Sequence, residues 1–312
     1  MRVTSNLFPE TLQQQLNSLQ TKQLNLQTQS ATGLKIVEAS DNPGDYAVAL
    51  NSTEDLSRML GYVNSSNEAQ LKLQSNQSAM TSMQKLVSRS YELAQRGNNV
   101  LNAGDLQALA VEVKDIVSQM ANLANTQVDG YYTFGGVENK PPVLDSSTGL
   151  VATSNTSIGN FVLNSTTTAN VTKVDVNQNY SFDTGIVAGN GTVTAKGFLS
   201  NGTTNILTTV QNLFTSLNSG TPTSTTQITD LKNSMDIITE QLGKSSAKLA
   251  ALDANSTRVQ TDQQLGKQRV SELTQANMAD VLTQLQKTQF NYQAALQSGA
   301  RILNISLLDY VR

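Results

Sequence analysis

The sequence predicts a mainly α protein: a long antiparallel helical rod formed by the N- and C-terminal segments, with a small β domain inserted between them. Three observations carry this. Toward both ends, apolar residues recur at alternating steps of four and three among Gln, Asn, Ser and Thr, the heptad spacing of helices that pack lengthwise on other helices. Residues 140–205 lose that period and become a Gly/Thr/Asn/Val mixture with short alternating runs. Charged residues make up only 14% of the 312 residues, against roughly 25% in ordinary soluble domains, so copies of this surface repel one another weakly.

The elements follow in order. The first helical tract covers about residues 10–30 through Leu12, Leu16, Leu19, Gln23 and Leu26, and carries one polar residue on its own seam. Gly33 and the run Asp41-Asn42-Pro43-Gly44 are breakers, because proline disfavours helix in the residue before it, so residues 30–45 are expected to be a non-helical link. A second tract runs from Leu56 through Met59, Val63, Ser66, Gln70, Leu73, Gln77, Met80, Gln84, Val87 and Tyr91 to Ala94, and stops at Gly97-Asn98-Asn99. Asp105 stands where an N-cap belongs for a third tract through Leu106, Leu109, Val113, Ile116, Met120 and Leu123.

In the middle, Thr172, Val174 and Val176 alternate with Lys173, Asp175 and Asn177, and Gly189-Asn190-Gly191 supplies a turn before Thr192 and Val193. The fourth stripe is the longest: Ile228, Leu231, Met235, Ile238, Leu242, Ser245, Leu249, Leu252, Ser256, Val259, Gln263, Gly266, Val270 and Leu273. The phase then slips, and a new register reads Met278, Leu282, Leu285, Gln289, Tyr292, Leu296, Gly299, Leu303. Such a stutter places a joint near Asn277. The expected domains are therefore residues 1–45 with 278–312 as a terminal assembly domain, 46–136 with 207–277 as a rod, and 137–206 as an inserted β domain separable from the helices.

Composition removes most chemistry. There is no His, Cys or Trp, so His-dependent triads, thiol nucleophiles and thiolate or imidazole metal sites are excluded. Carboxylate pairs such as Glu54/Asp55 and Asp230/Asp236 fall on expected helix surfaces and read as solvated faces, since a catalytic pair needs a cleft and a raised pKa. No catalytic residue, cofactor or metal is expected. The 21 basic residues are scattered singly and the net charge is −3, which argues against nucleic acid. No apolar run is long enough for a membrane span. The opening, MRVTSNLFPETLQQQL, lacks the basic flank and apolar run of a cleaved leader, so any export is expected to use another route.

Two clusters have competing readings. Gln23, Gln77, Gln84 and Gln289 on the seams either set register between helices or mark half-buried faces. Tyr131, Tyr132 and Phe134, set among glycines, either pack the closed end of the bundle or form a ligand-facing aromatic patch, and packing is the expected role. The Asn-X-Ser/Thr sequons at Asn51, Asn164, Asn190 and Asn201 are what chance supplies in a chain this rich in Asn, Ser and Thr.

Four stretches carry a resemblance. TGLKIVEASDNPGDYAVAL (32–50) is similar to the segment after the first helix in the flagellin superfamily, and its Ser40-Asp41-Asn42-Pro43 form is more like the hook-filament junction branch than the filament subunits. YELAQRGNNVLNAGD (91–105) resembles the superfamily's run before its third helix. NTQVDGYYTFGG (125–136) and the ending SLLDYVR (306–312) resemble junction signatures. Asn42 stands where a second acidic residue is common, and Glu38-Ala39 where proline is frequent. The resemblance covers about residues 1–136 and 226–312 and none of the middle.

It implies a secreted, extracellular structural subunit at the hook-filament junction of the bacterial flagellum, exported by the type III route. The implied partners are copies of itself in a helical layer, the preceding hook-associated junction protein, flagellin, and a cytoplasmic export chaperone. A filament-forming flagellin is the nearer alternative, and an adhesin or enzyme carried by the β domain the farther one. The seam residues Leu12, Leu16, Leu19, Gln23, Leu26, Met278, Leu282, Leu285, Gln289, Tyr292, Leu296 and Leu303 are the expected subunit interface. Terminal helices so poor in charge are expected to be disordered alone and to fold on joining neighbours.

Overall fold

The computed structural model describes residues 7–100, 102–153, 155–164, 173–189 and 197–310, with side chains given from residue 10 to residue 301. Six helices dominate: α1 (Leu7–Thr32), α2 (Pro43–Asn99), α3 (Ala103–Ala124), α4 (Ile206–Asn218), α5 (Thr225–Thr274) and α6 (Met278–Tyr310). Between α3 and α4 lie six short strands, β1 (Gln127–Val128), β2 (Tyr131–Tyr132), β3 (Val143–Asp145), β4 (Phe161–Leu163), β5 (Lys173–Asn177) and β6 (Tyr180–Asp183). They form three separate antiparallel pairs, β1-β2, β3-β4 and β5-β6, where one small sheet was expected. The chain divides into two compact units, Met1–Arg58 with Thr261–Arg312, and Met59–Gln260.

Helix ends are written in amides and hydroxyls. Asn42 Oδ1 accepts from the Asp45 backbone N–H at 3.2 Å while Asn42 Nδ2 donates to Asp45 Oδ2 at 2.8 Å, a reciprocal cap with Pro43 at the first helical position of α2. Ser224 and Gln227 form a capping box at α5: Ser224 Oγ accepts from Gln227 N and Gln227 Oε1 from Ser224 N. For α3 the cap is Asn102, whose side chain accepts from Gly104 N at 3.1 Å. Asp105 lies instead in the first turn, where its charge meets the helix dipole.

In the larger unit every residue named from the stripes of α2, α3 and α5 is buried or half-buried. The interior holds Leu73, Met80, Met83 and Val87 from α2, Leu106, Val113 and Met120 from α3, and Leu231, Ile238 and Leu252 from α5. The α2–α5 seam also carries polar rungs. Gln70 Nε2 donates to Asp253 Oδ1 at 3.4 Å, Gln77 Nε2 to Ser246 Oγ at 2.8 Å, and Gln84 Nε2 to Thr239 Oγ1 at 2.9 Å. The pairs step by seven along α2 and by seven backwards along α5, as an antiparallel heptad seam requires. Arg89 joins α2 to α3 by a two-pronged grip on Glu112, with Nε 2.6 Å and one terminal nitrogen 3.1 Å from its two oxygens.

Helix α4 was not foreseen. Its Ile206, Val210, Leu213 and Leu217 are fully buried, and Asn205 caps it by accepting from Thr208 N. Through α4 the insert loses its independence. Val143, Ile158, Phe161, Val176, Phe182 and Phe198 belong to the same apolar core as the helices. Gln211 Nε2 donates to the carbonyls of Ile158 and Phe161, Asn125 bonds both backbone groups of Val143 at 2.9 Å, and Asn255 Nδ2 donates to Val176 O at 3.0 Å. Buried backbone carbonyls need such partners. Thr172, Asn190, Gly191, Thr192 and Val193, where the sequence suggested a strand end and a turn, lie outside the described residues.

Candidate assembly interface

The smaller unit is built on α1 and α6. Helix α1 stops at Gly33, which adopts φ +70° and donates its N–H to Gln29 O at 2.8 Å, the left-handed ending glycine permits. The link that follows is pinned to the α5–α6 joint: Lys35 N donates to Thr274 O and Ala276 N to Gly33 O. Asp41 caps the link's turn by accepting from the Val37 and Glu38 N–H groups, and those bonds hold its carboxyl below the ordinary value. Asn277 then caps α6 through Oδ1 to Ala279 N. The early part of α1 meets the late part of α6, so the two run antiparallel, and a Cβ at Gly299 would stand 2.5 Å from Leu12 Cδ2.

On α1, Leu12, Leu16, Leu19 and Gln23 are half-buried and Leu26 is buried, while Leu24 is exposed. On α6 the expected seam is split. Leu285, Gln289 and Tyr292 are half-buried, whereas Met278, Leu282 and Leu296 are exposed, Leu296 at 45%. The side chain of Leu303 lies outside the described residues. The covered face of α6 is Val281, Leu285, Thr288, Tyr292, Ala295 and Gly299, an arc of about 80° at 3.6 residues per turn. Met278, Leu282, Gln289 and Leu296 occupy the adjoining roughly 40°.

The apolar stripe of α6 is thus wider than the face α1 covers. Phe290, 71% exposed, adds a further apolar position away from both arcs. The terminal segments are therefore neither partnerless nor fully satisfied: they pair with each other inside one chain and leave a flank of the last helix open. Among the described residues no group of His, Cys, Asp and Glu could hold a metal, and no helix is long and apolar enough to cross a membrane.

Long charge-poor helices from the two chain ends thus pack on each other, with one apolar flank of α6 left uncovered. Residues 3–139 match the bacterial flagellin N-terminal helical region. The chain is similar to flagellar hook-associated protein 3 of Salmonella typhimurium, 24% identical over 151 residues, and that alignment spans 48% of each chain, so it takes in about half of the relative. Two solved structures share the fold at 16% identity. A Vibrio parahaemolyticus chain assigned to the flagellar hook-associated proteins superposes with a TM-score of 0.63, covering 75% of this chain and all of that one. FlgL of Bacillus cereus superposes with a TM-score of 0.54, covering 71% of this chain and 99% of that one. The resemblance is thus to the hook-associated branch of the flagellin superfamily.

Proposed function

We propose that this chain is a structural, non-enzymatic subunit of the bacterial flagellum that joins the hook-associated zone to the flagellin filament. The observation that carries the reading is the open flank of α6, formed by Met278, Leu282 and Leu296 beside a seam that α1 already covers. Soluble monomers scatter single apolar residues, but an aligned row on a charge-poor helix marks a surface kept for another molecule. A second copy in the same layer covers this row, with the α1 seam Leu12, Leu16, Leu19, Gln23 and Leu26 holding α6 in place from behind. The preceding hook-associated protein and flagellin lie on the two axial sides, and the exported chain is guarded before assembly by a cytoplasmic chaperone on its C-terminal segment. The subunit works outside the cell.

The test is co-sedimentation of the purified chain with hook and filament fragments. An adaptor caps or bridges the fragments and forms no long filaments alone. Self-polymerisation into long filaments would make it a filament subunit instead.

A further inference from the structure

The open flank of α6 extends past its leucines. Next to Leu282, Gln289 and Leu296 lie Ala279, Gln286, Gln293 and Ala300, the whole set spaced at alternating steps of three and four. At 3.6 residues per turn they share one arc of about 100°, beside the face that α1 covers. All are exposed except Gln289, which is half-buried. From either end the row reads Ala, Leu, Gln, Gln, Gln, Leu, Ala. Turned end for end about Gln289 it falls back on itself to within one residue: Leu282 meets Leu296, Gln286 meets Gln293, and Ala279 meets Ala300.

That order matters for one arrangement of two copies. In a parallel pair each residue meets its own counterpart whatever the sequence, whereas an antiparallel pair about a two-fold axis needs a patch that matches itself when reversed. The chemistry of the row suits the reversal. Leucine meets leucine on both sides of the axis, with 47% of Leu282 and 45% of Leu296 still in water to be covered. Between them amide faces amide, and a glutamine carries both donors and an acceptor. Glutamines already serve this chain as seam rungs, where Gln77 and Gln84 of α2 donate to hydroxyls of α5. No charge opposes the contact, because Asp280, Lys287 and Arg301, the charged residues of α6 up to residue 301, fall in a separate arc of about 60°.

We infer that the chain, before it assembles, pairs antiparallel with a second copy of itself through this row, with the two-fold axis at Gln289. The inference rests on the reading of the flank as a surface kept for another molecule, and adds the state of that surface in the free chain. A two-fold pair closes on itself and does not propagate, so it takes the row out of water without starting a layer. The contact is a single helix row about 32 Å long, short of the roughly 1,200 Å² that a stable interface buries. The pair is therefore reversible and gives way to assembly.

The chain contains no Cys, so introduced thiols report on single positions. Leu282→Cys, Gln289→Cys and Leu296→Cys are oxidised in glutathione buffer, alone and mixed, with one partner carrying a mass tag, and dimers are read on non-reducing gels. Lys287→Cys, away from the row, sets the background. Gln289→Cys should link to itself, and Leu282→Cys mixed with Leu296→Cys should cross-link at least about tenfold more than either alone. Sedimentation equilibrium of the unaltered chain should show a reversible dimer with a Kd of about 0.1 mM. Leu282→Cys and Leu296→Cys each linking to itself, with no mixed product, would mean a parallel pair and overturn the inference. Linking no greater than that of Lys287→Cys, or a chain that stays monomeric at millimolar concentration, would do the same. Co-sedimentation with hook and filament fragments separates this from the assembly reading: if the unaltered chain binds the fragments but no pair forms, only the pairing falls.

Discussion

Leu296→Asp separates folding from assembly. Leu296 keeps 45% of its surface in water in the free chain, so a neighbour has about half a leucine left to cover. Full burial of a leucine contributes about 1.5–3 kcal/mol, which leaves about 0.7–1.5 kcal/mol for the assembled contact. Aspartate forfeits that share and also places a carboxylate in the contact, at a further cost of several kcal/mol. The sum is about 4 kcal/mol or more, close to a thousandfold in affinity at each site. In the free chain the same substitution loses only the inner half of the side chain, again about 0.7–1.5 kcal/mol. Leu252, fully buried in the larger unit, is the control: Leu252→Ala should cost about 2–5 kcal/mol of folding and lower the melting temperature clearly. Thermal melting by circular dichroism is read beside co-sedimentation with hook and filament fragments. Normal sedimentation of Leu296→Asp, or a fall in its melting temperature as large as that of Leu252→Ala, would refute the division between a folded seam and an assembly flank.

Four further outcomes follow from particular contacts. Arg89 holds the Glu112 carboxyl below its ordinary value of 4.5, so the stability this pair adds is present above pH 4.5 and is lost as the pH falls toward the lower folded value; Glu112→Gln should flatten acid unfolding curves in that window. Asn125→Ala leaves the Val143 N–H unpaired and its carbonyl with the Ala152 N–H alone, and urea titration should show a loss of about 1–3 kcal/mol for the orphaned N–H. Gly299→Leu drives a side chain into Leu12 and should loosen α1 from α6, seen as faster limited proteolysis of both terminal segments with the larger unit intact. Deleting residues 140–205 removes Val143, Phe161, Val176 and Phe198 from the common core and should abolish cooperative unfolding of the helices; a deletion variant that melts cooperatively at the original temperature would show that the insert has a core of its own.

The long helices were legible because their seams are covered from within the chain, so that apolar period and burial coincide at position after position from Leu56 to Ala94 and from Ile228 to Leu273. The breaks at Gly33 and Pro43 were legible for a local reason, the backbone preferences of those residues, and the joint near Asn277 from the slip of the apolar phase. Asp105 misled because Asn102 competes for the same capping role three residues earlier and wins it. Helix α4 was missed as a separate element although Ile206, Val210, Leu213 and Leu217 carry helical spacing and 207–277 was expected to be rod, because its thirteen residues make a short stripe beside the long heptad tracts. On α6 the stripe was found, but a sequence does not say which part of a wide stripe its own chain will cover. The same limit hid the difference between Phe134, which turns inward, and Tyr131, which does not.

The rungs Gln70–Asp253, Gln77–Ser246 and Gln84–Thr239 work like the teeth of a rack. Sliding α5 by one heptad, about 10.5 Å, would set Gln77 against Asp253 and Gln84 against Ser246, again donor to acceptor. The glutamines therefore choose which faces meet but are blind to a whole tooth of travel. Features that do not repeat choose the tooth: the Gln227 side chain reaching Asn212 O and Ser216 Oγ on α4, the Asn255 bond to Val176 O, the Lys248 ammonium on Gly185 O, and the backbone bond from Lys35 N to Thr274 O at the end of α5. Cutting one of these anchors leaves the tooth to be chosen by the others, while the glutamines alone would not hold it.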